Sequence, residues 1–152
     1  MSEEPVEQHL TVLIPENLDD IVRANRDKCR LAFTTDEEYS SLQCEQHSSV
    51  GGPVRHILRD WNILMIHVTS DGSLVKSFPK LLGKVQATGQ AWITSTVTGI
   101  DSRASLVKTQ NSVYRVTGPR VFEPDMHLLL HVCVWLNQNG AGSYLGVPEF
   151  VY

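Results

Sequence analysis

Four hydroxyl side chains, Thr94, Ser95, Thr96 and Thr98, fall within the stretch WITSTVTGID, residues 92–101. Hydroxyls this dense serve a nucleophile, a phosphate cradle or the polar face of a strand. A nucleophile needs a base within reach and an oxyanion site. The local sequence offers neither, and it has no G-x-S-x-G elbow or G-x-x-x-x-G-K-[ST] loop. β-Branched residues favour the strand conformation. The expectation is therefore a ladder of Thr94, Thr96 and Thr98 on the solvent side of a sheet, with only Ser95 turned inward.

Two further groups have ligand-like or ion-binding spacing. His127 and His131, four residues apart, would share one helical face and could hold one metal ion. The metalloprotease pattern fails, because no glutamate follows His127 directly. Cys44-x-x-His47 is a second weak pair, and the four residues would surround zinc only if segments about eighty residues apart met. Buried or capping histidines are the plainer explanation, so no cofactor is expected and a metal-dependent enzyme is an alternative. Arg55 and Arg59 in PVRHILRDW form a secondary basic pair, with Asp60 placed to answer one of them.

The elements that must position these residues are read from periodicity. Leu18, Ile21, Val22 and Cys29 recur near one face, and Asn17, Asp19 and Asp20 suit a helix start, so PENLDDIVRANRDKCRLAF is expected to be helical. Thr35 and Glu38 make a capping-box pair opening a second short helix. Val54, Ile57, Leu58 and Trp61 fall at i, i+3, i+4 and i+7, a helical stripe carrying Arg55 and Arg59. NILMIHV reads as an apolar strand, Asp71-Gly72 as a turn into SLVKSF, and Pro79 as an edge or an end of that piece. KLLGKVQA, AWITSTVTGI, LVKTQ and SVYRVTG continue as a meander. In 124–138 the valines suit a buried strand, whereas Pro124, Asp125 and Gly140 suit a helix. The length of the run favours the helix.

Register follows from pattern, because a slip by one residue exchanges the faces of a strand. With DSRAS (101–105) as a hairpin loop and Gln110-Asn111 as a two-residue turn, one face collects Ile93, Val97, Val107, Tyr114 and Val116. The other collects Trp92, Thr94, Thr96, Thr98, Lys108, Gln110 and Arg115. Moving the turn to Asn111-Ser112 would set Lys108 opposite Arg115, a destabilising like-charge pair. Arg103 in the loop and Arg120 beyond the meander extend this candidate binding face, whose aromatic, hydroxyls and cations are those by which single-stranded nucleic acid is gripped.

The net charge of −4 conceals a partition. Residues 1–50 carry eleven acidic and four basic side chains (−7), residues 51–122 three and nine (+6), and residues 123–152 three and none (−3). Such asymmetry either recruits a charged partner or is neutralised within the fold. The start, MSEEPVEQHL, is acidic where a secretory signal would be basic, and no apolar run approaches the ~20 residues of a membrane span, so a cytoplasmic protein without a membrane partner is expected. Cys29, Cys44 and Cys133 form no close pair and are read as reduced thiols, Cys133 as a core residue.

The span WITSTVTGIDSRASLVKTQNSVYRVTGP, residues 92–119, resembles a pattern in small bacterial proteins of phage or plasmid type. There a TS strand precedes a strand–turn–strand ending in N-[ST]-x-Y-x-[VL], here Asn111 to Val116. The resemblance implies a mobile-element accessory protein and carries no site residues with it. The fold class expected is α+β, a single domain over 1–152 with 1–12 as a loose arm. It combines an antiparallel meander of five to seven strands, two short N-terminal helices and a buried C-terminal helix. The function expected is that of a non-enzymatic binding or regulatory protein, an inhibitor or adaptor of a bacterial or phage protein complex. A nucleic-acid binder is the alternative, and a homodimer through an edge such as SLVKSF is compatible with either.

Overall fold

The structure, a computed structural model, describes residues 17–21, 29–43, 52–70 and 73–138. In chain order these form α1 (Leu18–Ile21), β1 (Cys29–Phe33), α2 (Asp36–Leu42), β2 (Val54–Ser70), β3 (Ser73–Val85), β4 (Ala91–Asp101), β5 (Leu106–Thr109), β6 (Val113–Val116) and α3 (Met126–Gln138). The arm expected at 1–12, Gly140 and the closing GSYLGVPEFVY lie outside the described residues.

The six strands make one sheet in sequence order, each neighbour antiparallel, as a meander requires. One further pairing, β2 with β6 in parallel, curls β2 to β6 into a barrel. β2 serves two neighbours on one side because it is 17 residues long. Val54–Leu58 borders β6, while Leu64–Val68 borders β1.

β2 bends where its register with β3 shifts between Arg59 and Asn62, and there Asp60 adopts a left-handed φ of 49°. A bulge adds one residue to a strand and reverses the alternation beyond it. Leu58, Trp61 and Ile63 consequently pack in one core. This corrects the helix expected over 54–61. The three-residue step from Leu58 to Trp61 has helical spacing but is a bulged strand. Asn62, buried at the bend, is satisfied: its Nδ2 donates to the Val121 carbonyl at 2.6 Å and its Oδ1 accepts from the Ile63 amide at 2.7 Å.

Beyond the bend both faces of the sheet are covered. Ile63, Leu81, Val85, Val97, Ile100, Val107, Tyr114 and Val116 belong to the barrel core. Leu64, Ile66, Leu82 and Leu31 belong to a second core with Leu18 and Ile21 of α1 and Leu128, Leu129, Val132, Cys133 and Leu136 of α3. Adjacent residues thus go to different cores, which is why the strand sequences run continuously apolar. Burial pushes the thiols of Cys29 and Cys133 up to about 11 and about 12 respectively. Both are free.

The N-terminal helix expected over PENLDDIVRANRDKCRLAF is corrected at its far end. α1 is a single turn, and Cys29–Phe33 is a strand whose Leu31 pairs with Ile66. Tertiary pairing of CRLAF with β2 buries Cys29 and Leu31 while Arg30 and Ala32 point outward. α2 forms as expected. The Thr35 hydroxyl accepts from the Glu38 amide at 3.1 Å, and the Glu38 carboxylate accepts from the Thr35 amide at 2.9 Å. Within 124–138 the chain is helical from Met126 to Gln138, and Asp125 caps the helix by accepting the Leu128 amide at 3.0 Å. β3 runs through Pro79 instead of ending there. Pro79 pairs with Met65 of β2, and the ladder with β4 begins one residue later at Lys80. Its missing N–H therefore costs no β4 bond.

Among the described residues, no helix is long and apolar enough to cross a membrane.

Candidate functional site

The β5–β6 hairpin has the expected register. Leu106, Val107 and Lys108 pair with Arg115, Tyr114 and Val113, around a Gln110-Asn111 turn closed by the Thr109 amide donating to the Ser112 carbonyl at 2.8 Å. Lys108 therefore avoids Arg115 and lies diagonal to it on the outer face. Both are exposed, while Tyr114 and Val116 are buried behind them. The β4–β5 loop is one residue shorter than expected, because Asp101 pairs with Leu106. The Asp101 carboxylate accepts the Ala104 amide at 3.2 Å, and the Arg115 guanidinium reaches the Ala104 carbonyl at 3.4 Å. Arg103, exposed in this loop, is thus held near Arg115.

On β4 the expected alternation breaks twice. The register shifts between Lys80 and Leu82 of β3, where the Thr94 hydroxyl accepts the Leu81 amide at 3.0 Å. It shifts again between Val97 and Gly99. Thr94 is buried, not solvent-facing, and donates to the Ser95 carbonyl at 2.7 Å. Ser95 and Thr96 are half-buried, and only Thr98 is exposed, its hydroxyl 3.4 Å from the Lys108 carbonyl. The threonine ladder is corrected to a single exposed rung.

Trp92 also changes sides. It packs against the barrel core, its indole N–H donating to the Tyr114 hydroxyl at 3.3 Å, and Ile93 takes the outer face against α3. His56 meets Trp92 edge-on at 4.5 Å and stacks on Tyr114 at 6.5 Å. Arg55 lies over the Trp92 ring at 5.1 Å. Arg55 and Arg59 are strand residues, not a helical pair. Arg59 bonds Asp60 at 2.6 Å, as its neighbour's charge suggested.

Arg120 is drawn away from the face. It donates to the Thr34 hydroxyl at 3.1 Å and pairs with Asp36 at 2.7 Å, over the rings of Tyr39 (4.1 Å) and Phe122 (5.0 Å). Burial raises the Tyr39 pKa, and the Arg120 charge opposes that rise. With Arg120–Asp36 and the Lys84–Asp125 pair, part of the basic middle is neutralised inside the fold by its acidic flanks.

A cleft of about 360 Å3 opens where Gly52–Arg55 meets Lys108–Val113. Among the described residues that line it, Arg55 and Lys108 are the charged ones, and Gln110, Asn111, Thr109 and Ser112 supply amides and hydroxyls. Of these, Arg55, Lys108 and Gln110 are legible in sequence. Gly52, Asn111 and Ser112 are not, because the parallel pairing of Val54 with Val113 that assembles the cleft joins segments with no local link.

His127 and His131 share one face of α3 and line a second cleft with Gln90 and Gln138. His127 is exposed, and burial lowers the pKa of His131. Among the described residues, no group of three or more His, Cys, Asp or Glu comes together to hold a metal ion, and Cys44 and His47 lie outside those residues.

The chain matches no protein-family model, no curated protein and no solved structure.

Proposed function

We propose that this protein is a binding module that docks on an acidic surface of another protein through Arg103, Lys108 and Arg115. One observation carries this reading. These three cations are exposed on one hairpin and its neighbouring loop, and no described residue forms an ion pair with them. Arg59, Lys84 and Arg120, by contrast, are spent on carboxylates of the fold. A charged patch without ion-pair partners among the described residues steers association with an oppositely charged partner. The inward turn of Trp92 leaves the outer face without its stacking ring, which favours a protein partner over single-stranded nucleic acid. Regulation of a larger complex, in the manner of an inhibitor or adaptor, is the form of action proposed. A mobile-element origin is proposed on the hairpin resemblance of residues 92–119.

The test compares wild type with a Lys108→Glu, Arg115→Glu variant in affinity capture from native host extract, followed by salt titration of the purified pair. The expected result is a partner retained by the wild type, lost by the variant and released as salt rises. A partner retained equally by both proteins overturns the proposal. Salt-dependent binding of labelled oligothymidylate by the wild type, abolished in the variant, would instead establish the nucleic-acid reading.

A further inference from the structure

The cleft between Gly52–Arg55 and the β5–β6 turn shares Lys108 with the docking face but adds a concave lining that asks for a different ligand. Its lining combines Arg55, Lys108, two amides and two hydroxyls above an apolar floor of Pro53, Val54 and Val113. None of its described lining residues is a carboxylate. The Arg55 guanidinium is braced over Trp92 at 5.1 Å, and the turn is held by two bonds of Thr109: the hydroxyl donates to the Ser112 carbonyl at 3.1 Å and accepts the Ser112 amide at 3.2 Å. The walls are therefore pre-formed, which lowers the ordering cost of binding. Two cations of different kinds, a planar fork and a point charge, match the two negative charges of a phosphate monoester. The volume suits a small molecule or a single modified side chain, not a polymer.

We propose that this cleft binds a phosphate monoester dianion, with Arg55 and Lys108 holding the phosphoryl oxygens and the Gln110-Asn111 turn bonding to the group that carries them. The same chemistry is presented by a phosphorylated side chain of a partner and by a free mononucleotide.

The test titrates the full-length protein with inorganic phosphate, phosphoserine and adenosine 5′-monophosphate, following backbone amide resonances of residues 108–113. Saturable shifts in these amides are expected, and affinity should rise as pH passes upward through about 6, where the second phosphate proton leaves. Lys108→Gln should weaken binding about tenfold, the scale of one charge-assisted hydrogen bond. Lys108 is exposed, so this variant keeps the fold. Arg55→Lys should weaken it less than Arg55→Gln, because charge survives without the fork. Arg103→Gln lies outside the cleft, in the β4–β5 loop, and should leave phosphate affinity nearly unchanged while weakening partner capture, so the two proposals fail separately. Tighter binding of phosphoserine than of the nucleotide identifies a modified side chain as the source, and the reverse order identifies a free nucleotide. Absence of saturable shifts with all three probes, or binding indifferent to Lys108→Gln, overturns the proposal.

Discussion

The Thr94 hydroxyl takes the place of a strand carbonyl, accepting the Leu81 amide at 3.0 Å where β3 and β4 lose register. The bulge it bridges sends Trp92 and Val97 into the same core although they are five residues apart. Thr94→Val keeps the shape and removes the acceptor, leaving a buried amide unpaired. The expected cost is about 1–3 kcal/mol by urea unfolding. Thr94→Ser, which keeps the hydroxyl, should cost clearly less.

Arg120 and Asp36 are unequal partners. The arginine side chain is 13% exposed and the aspartate 97%. An exposed carboxylate adds little, whereas the guanidinium also bonds Thr34 and covers two rings. Arg120→Ala should lose about 1–3 kcal/mol, through packing and hydrogen bonds as well as charge. Asp36→Ala should leave the unfolding midpoint almost unmoved. Equal effects would refute this division.

Gly83 stands opposite the β2 bend, where a Cβ would lie 3.0 Å from Trp61 Cβ, 3.1 Å from the Arg59 carbonyl oxygen and 3.3 Å from Leu58 Cβ. None of these is the free end of a flexible side chain. Gly83→Ala should therefore destabilise the barrel by about 1–3 kcal/mol, the range for overpacking. Thermal unfolding of the variant checks it.

Acid should weaken the fold in two separate ranges. Burial lowers the His131 pKa from its ordinary 6.5, so the folded state disfavours the proton. Its contribution is complete above 6.5 and is lost as pH falls below that value toward the folded pKa. For Asp125 burial acts to raise the pKa, but it is outweighed by the Lys84 hydrogen bond, the Leu128 amide and the charges of Lys84 and His127, leaving it below 3.8. That contribution is complete above 3.8 and disappears below it. Stability measured against pH should lose its step below 6.5 in His131→Gln and its step below 3.8 in Asp125→Asn, each variant losing only its own step.

What the sequence determined by itself was local. The Thr35–Glu38 box closes within one helical turn, the β5–β6 register follows from a two-residue turn and the separation of Lys108 from Arg115, and the length and start of α3 distinguish it from a strand. Each of these signals acts between residues close in the chain. Only the tertiary structure decided the rest. The bulges at Asp60, Thr94 and Thr98 alter a period of two by one residue, so Leu58 and Trp61 acquire helical spacing on a strand, and Trp92 and Thr94 turn inward. The parallel closure of β2 on β6 brings Arg55 to the cleft beside Lys108 across more than fifty residues of chain. A pairing at that distance depends on how the whole sheet curls, and twist accumulated strand by strand leaves no periodic trace in either segment.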